Sequence, residues 1–165
     1  MSTLLRFFLF TGTLLFWPQL GCATARIAGG GGEVSLGAVS VQLRSHGSSL
    51  PHFWHHGQIF VLGRRGQPYS ILIRNLTNQR IEVVTAVDGR DVINGQPTRP
   101  DIHRGYVLNP YAYVDITGFR TSQHSVAAFR FSSISSSYAA RMGGPIYDIG
   151  SIRVSVFREH QPIAY

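Results

Sequence analysis

Residues 51–58 read PHFWHHGQ, so that with His46 four histidines, His46, His52, His55 and His56, fall within eleven positions. Neutral imidazole ligates Zn²⁺, Cu²⁺ and Ni²⁺, which makes His52, His55 and His56 the metal-ligand candidates of the chain. A structural metal site ordinarily takes four ligands, yet no Cys and no carboxylate lies between Glu33 and Glu82. In an extended segment His55 and His56 also point to opposite faces and cannot serve one ion. Carboxylates that would orient the rings are missing locally. The expectation is therefore that Phe53 and Trp54 cover the edge of a core, that the histidines are solvated, and that no metal or other cofactor is required.

Arginine offers a second chemistry. All 15 basic residues are Arg, against eight carboxylates, for a net charge of +7. A guanidinium pairs bidentately with phosphate or carboxylate, and Arg64-Arg65 sit side by side in the turn-like RRGQP, so these two are the anion-binding candidates. Arg74, Arg120, Arg130 and Arg153 alternate instead with apolar residues, the pattern of a solvated sheet face. Catalysis finds no such foothold. The chain has no G-x-S-x-G elbow, no H-E-x-x-H, no Walker loop and no Cys-His pairing. Asp88 and Asp91 bracket a turn, where Asp serves backbone geometry. His103, Asp115 and many serines are present, but only geometry can define a triad. The GGGG run follows no strand and is no phosphate cradle.

The compartment decides which anion is available. The amino terminus, MSTLLRFFLFTGTLLFWPQLGCATA, carries one Arg and an interrupted apolar stretch too short for a membrane-spanning helix, and it ends in Pro18 and small residues. That is the pattern of a secretory signal. QLGC resembles the lipobox of bacterial lipoproteins, with Gly21 before Cys22 as the lipidated residue; Gln19 stands where an aliphatic residue is usual. ATA (Ala23 to Ala25) fits an ordinary signal-peptidase site, which would leave a soluble periplasmic or secreted protein beginning at Arg26. Cys22 is the sole Cys, so no intramolecular disulfide can form under either reading. Residues 1–21 are expected as the signal peptide, 22–33 as lipid anchor and Gly-rich tether, and 34–165 as the domain. Ala23 follows the Cys where Asp would favour inner-membrane retention, so the expected location is the periplasm-facing outer membrane. Export disfavours nucleic acid as a partner and leaves anionic lipids and glycans, or another envelope protein.

The elements that would position these residues are strands. Apolar residues alternate in VSLGAVSVQLR, with Val39, Val41 and Leu43 on one face, and in YSILIRN, with Tyr69, Ile71 and Ile73. RIEVVTAV places Ile81, Val83, Thr85 and Val87 together, and SIRVSVFRE places Ile152, Val154 and Val156. QIFVLG and SVAAFRF are shorter runs. Asp88-Gly89 is a hairpin signal, since both residues tolerate the positive φ of tight turns. GYVLNPYAYVDITGF reads as strand, Asn-Pro turn, strand. One helical turn is expected in SSYAARMGG, capped by Ser136 or Ser137 and ended by Gly143. SSISSS reads as an exposed loop. Short strands at this spacing predict a single all-β domain, an antiparallel β-sandwich, with a small β-barrel as the alternative.

The motifs VDGRDVINGQ, GYVLNP, ITGFRTS, VAAFRF, SYAARMGGP and IGSIRVSVFRE, in this order over about residues 67–159, resemble a family of uncharacterised exported bacterial proteins. The resemblance implies one β-rich envelope domain and carries no catalytic or binding residue. PHFWHHGQ lies outside the matching stretch. Together these readings lead to a non-enzymatic binding or assembly module of the cell envelope, lipid-anchored through Cys22. The alternative is a module that holds a metal ion on the His-rich segment or an anionic envelope glycan or lipid on the Arg face.

Overall fold

In the computed structural model residues 2–9, 33–98, 104–122, 125–143 and 146–158 are described; Cys22, Ala25, His103 and nearly all of the Gly-rich tether lie outside them. In chain order the strands are β1 (Ser2–Leu9), β2 (Glu33–Leu36), β3 (Val39–Ser45), β4 (Ser48–Ser49) and β5 (His52–His55). Next come β6 (Gln58–Arg64), β7 (Ser70–Asn75), β8 (Ile81–Val87), β9 (Arg90–Asp91) and β10 (Tyr106–Leu108). Last are β11 (Tyr113–Ile116), β12 (Gly118–Arg120), β13 (Val126–Ala128) and β14 (Ser151–Arg158). The single α-helical turn among the described residues is α1 (Tyr138–Arg141).

The strands assemble into two main sheets and one small ladder. The first sheet runs β10-β8-β14-β1-β6-β5, with β9 hydrogen-bonded to β8. The second runs β11-β7-β3-β2, with β4 on β3, and β12 pairs with β13 alone. Neither large sheet closes on itself, so the architecture is the all-β sandwich and not the barrel. Every pair is antiparallel except β1–β14, which is parallel. The core fills the space between the sheets, as sandwich packing requires. Val39, Val41 and Leu43 of β3 and Ile71 and Ile73 of β7 come from one side; Ile59 and Val61 of β6, Val83 and Val87 of β8, and Ile152 and Val154 of β14 come from the other.

The faces expected from alternation are the buried ones: Tyr69, Ile71 and Ile73, and likewise Ile81, Val83, Thr85 and Val87, are each at most 7% exposed. One expectation needs revision in detail. VSLGAVSVQLR is not one strand but a hairpin, because Gly37 takes φ +70° and turns β2 onto β3 with Val34 opposite Val41. GYVLNPYAYVDI is strand, turn and strand as expected, and its two strands belong to different sheets. Its Asn-Pro turn carries the chain from β10 in the first sheet to β11 in the second.

Buried Asn75 holds that crossover. Its Nδ2 donates to the carbonyls of Gln79 at 2.7 Å and Asn109 at 2.9 Å, while its Oδ1 accepts from the Thr77 N–H at 2.9 Å. A fully buried amide is tolerated only when satisfied in this way. The expected helical turn is α1, with Ser137 Oγ accepting from the Ala140 N–H at 3.1 Å and Gly143 beyond it at φ +71°. The serine run 132–137 is only partly the exposed loop expected: Ile134–Ser136 form a 3₁₀ turn and Ser137 is buried.

Candidate functional site

Two hairpin turns account for two of the four clustered histidines, and a third turn shares their geometry. His46-Gly47, His56-Gly57 and Asp88-Gly89 all have positive φ, at 49° and 79°, 47° and 74°, and 54° and 73°. Paired positive φ is what a two-residue hairpin turn of matching twist demands, and His, like Asn and Asp, is enriched there among non-glycine residues. His46 thus turns β3 into β4, and His56 turns β5 into β6. His55 closes the β5–β6 ladder opposite Gln58, its ring 4.1 Å from the His56 ring, and both are exposed. His52 is half-buried, and its Nδ1 finds no hydrogen-bond partner. Among the described residues no three His, Cys, Asp or Glu side chains gather closely enough to hold a metal ion. Phe53 stacks on Phe60 at 5.5 Å on one face of the sheet, Trp54 lies opposite Ile59 on the other, and the two remain 39% and 38% exposed.

The arginine pair parts company at the end of β6. Arg64 is exposed on the strand's last position, and its backbone N–H is taken by Gln67 Oε1 at 2.9 Å. Arg65, one residue on, lines a cleft of about 470 Å³ that Arg130 and Arg141 also line. Sequence reasoning had set Arg130 on a solvated face and had not singled out Arg141.

The cleft is built by strapping residues 129–131 along residues 66–69. Gly66 N–H donates to Phe131 O at 2.7 Å, Phe131 N–H to Gln67 O at 3.0 Å, and Tyr69 N–H to Phe129 O at 3.1 Å. The alternation Phe129-Arg130-Phe131 then buries both rings and leaves Arg130 at the surface, where its Nη1 reaches Gly66 O at 3.2 Å. The floor is aromatic. Tyr69 lies 5.2 Å from Phe129 and 4.7 Å from Phe131, and Phe119 lies 5.2 Å from Phe129 and 5.4 Å from Tyr138. Beneath Tyr138 sits buried Arg90, its guanidinium 5.5 Å from the ring centre and donating to Gly95 O and Met142 O at 2.9 and 3.1 Å. That contact ties α1 to the β8–β9 hairpin, and α1 in turn presents Arg141 to the cleft.

The cleft is positive with one acidic group inside it. Among the described residues no carboxylate lies within ion-pair distance of Arg65, Arg130 or Arg141; the ion pairs present, Arg44–Asp115 and Arg153–Asp148, are elsewhere. Among the described residues Asp88 is the sole carboxylate lining the cleft. Burial pushes its carboxyl above the ordinary range, the hydrogen bond from Gly150 N–H opposes that, and the Asp148 charge adds to it. Burial, with the Asp88 charge second, also holds the Tyr69 phenol protonated far above its ordinary value. Among the described residues no histidine or cysteine lines the cleft, and Ser137 Oγ is engaged in capping α1. What the arrangement can do is hold an anion over a stacked aromatic floor. The signal available in the sequence was FRF, an Arg flanked by two inward aromatics; the partners that share its cleft come from segments far apart in the chain.

Comparison with protein-family models, with curated proteins and with solved structures finds no match to this chain.

Proposed function

We propose that this protein is a non-enzymatic binding or assembly module of the bacterial envelope, held at the membrane by a lipid on Cys22, which docks an anionic envelope component in its arginine-lined cleft. The observation that carries the reading is the convergence of Arg65, Arg130 and Arg141, free of carboxylate partners among the described residues, on one aromatic-floored cleft. Guanidinium groups suit phosphate and carboxylate, and the half-exposed ring of Tyr138, which lines the cleft, suits the face of a sugar ring. The signal-like amino terminus supports the reading, since an exported protein meets lipid head groups and glycan carboxylates. The resemblance to exported bacterial proteins agrees with export.

The test is binding to vesicles containing anionic lipid and to glycan fragments bearing carboxylates, across a salt series. Affinity is expected to fall as salt rises, because exposed charges are screened over about 8 Å at physiological ionic strength. The Arg65→Gln, Arg130→Gln, Arg141→Gln triple variant is expected to lose at least tenfold in affinity, while Arg64→Gln leaves it nearly unchanged. Salt-insensitive binding that the triple variant retains would remove the cleft from the reading.

A further inference from the structure

Strand β1 lies inside the first sheet and not at its edge. It is antiparallel to β6 over Ser2↔Arg64 to Phe7↔Ile59, and parallel to β14 over Arg6↔Ser151 to Leu9↔Val154. The residues that form it are also those of the expected signal peptide. We propose that removal of the signal opens a slot between β6 and β14, and that this slot receives an extended, apolar segment of a partner envelope protein as a replacement strand. The proposal rests on the export reading above, and supplies the assembly half of that reading with a site.

The physical case is the cost of leaving the slot empty. Neighbouring strands lie about 4.8 Å apart, so a missing inner strand leaves a gap of about 10 Å between β6 and β14. Ladder groups of β6 and β14 that face β1 would lose their partners, and unpaired buried backbone groups are strongly disfavoured. The core residues bordering the gap, Ile59, Val61, Ile152 and Val154, are each at most 4% exposed in the intact chain and would be uncovered. Both needs are met by one object: an extended backbone with apolar residues at alternate positions. The register defines its form. The occupant runs parallel to β14, spans about eight residues, and carries apolar residues where Leu5, Phe7 and Leu9 pair with Val61, with Ile59 and Ile152, and with Val154. A partner protein fits better than a second copy. Once the signal is gone, every other strand among the described residues is already engaged within its own domain.

The probe is a fluorescent peptide with the sequence of Ser2–Leu9, tested on two forms of the protein. One is the native protein from the envelope, with its amino terminus determined by mass spectrometry. The other is the full chain carrying a protease site within residues 22–32, cut after folding so that β1 can exchange. Saturable binding to both is expected, with the Leu5→Asp/Phe7→Asp peptide and a scrambled peptide at least tenfold weaker. A disulfide between a cysteine placed at peptide position Leu4 and one introduced at Leu62 is expected only in the stated register, since Leu4 pairs with Leu62. A native protein that retains residues 2–9 overturns both the slot and the export reading. A native protein that has lost them yet binds no peptide, or binds the scrambled one equally, overturns the slot alone and leaves the export reading in place.

Discussion

Gly63 shows how closely the cleft's floor is fitted to the sheet beneath it. A Cβ at this position on β6 would overlap the ring of Phe131, which is 2% exposed and packed against Tyr69. The ring cannot swing away without dismantling the aromatic floor. Gly63→Ala is therefore expected to destabilise by about 2 kcal/mol, the usual cost of overpacking, read as a lowered urea midpoint with an unchanged slope. Asp88 makes the opposite kind of prediction. Its folded pKa is raised, so the folded protein holds that proton more tightly than the unfolded chain does. The associated stability is present below about pH 3.9, the ordinary Asp value, and is lost as pH rises through the folded value. Asp88→Asn keeps the acceptor for Gly150 N–H and tolerates φ +54°, and so removes that loss. The variant is expected to be more stable than the parent at pH 7, with the two melting curves converging at acid pH. Because Asp88 also lines the cleft, the same variant should bind anions more tightly.

The hairpins are the elements whose geometry was most legible in the sequence. Asp88-Gly89 announced itself through its residue types, and the register beyond it, Val87↔Arg90 and Ala86↔Asp91, follows from a two-residue turn. His46-Gly47 and His56-Gly57 carried the same signal less openly, because His suggests ligand chemistry before it suggests a left-handed backbone. Gly37 split an alternating run, and the break shows in the sequence only as a change of phase, from Val34 and Leu36 at even positions to Val39, Val41 and Leu43 at odd ones. Gly89→Val is expected to cost on the order of 3 kcal/mol: a β-branched residue at φ +73° is strained, and its Cβ would meet Asp148 Oδ2 at 2.7 Å. Thermal unfolding followed by far-ultraviolet circular dichroism measures it. The cleft was not legible at this scale. Arg65, Arg130 and Arg141 come from a turn, a strap and a helix, and only long-range pairing such as Pro68↔Arg130 brings them together.

At the scale of the whole molecule, alternation and turn spacing identified the sandwich because each inward face reads directly off a period of two. Which strands neighbour one another did not follow, since order within a sheet depends on contacts between distant segments. The placement of residues 2–9 inside the first sheet is the clearest case. Among the described residues no helix is long and apolar enough to cross a membrane. In the proposed reading attachment falls to Cys22. The native protein is expected to partition into detergent and to carry the mass of its acyl chains. Cys22→Ser is expected to release it, since acyl chains contribute about 0.8 kcal/mol per buried CH₂. A soluble form beginning at Arg26 would refute the anchor.

The parallel pairing of β1 with β14 also has a consequence in time. It joins the first and last strands of the described chain, the longest loop closure the fold contains. Folds dominated by such distant pairings nucleate slowly, because chain entropy is lost before the contact that rewards it forms. A nascent chain cannot finish its first sheet until β14 has left the ribosome. Up to that moment the leading segment has only β6 to pair with, and its other edge stays open to whatever machinery receives it.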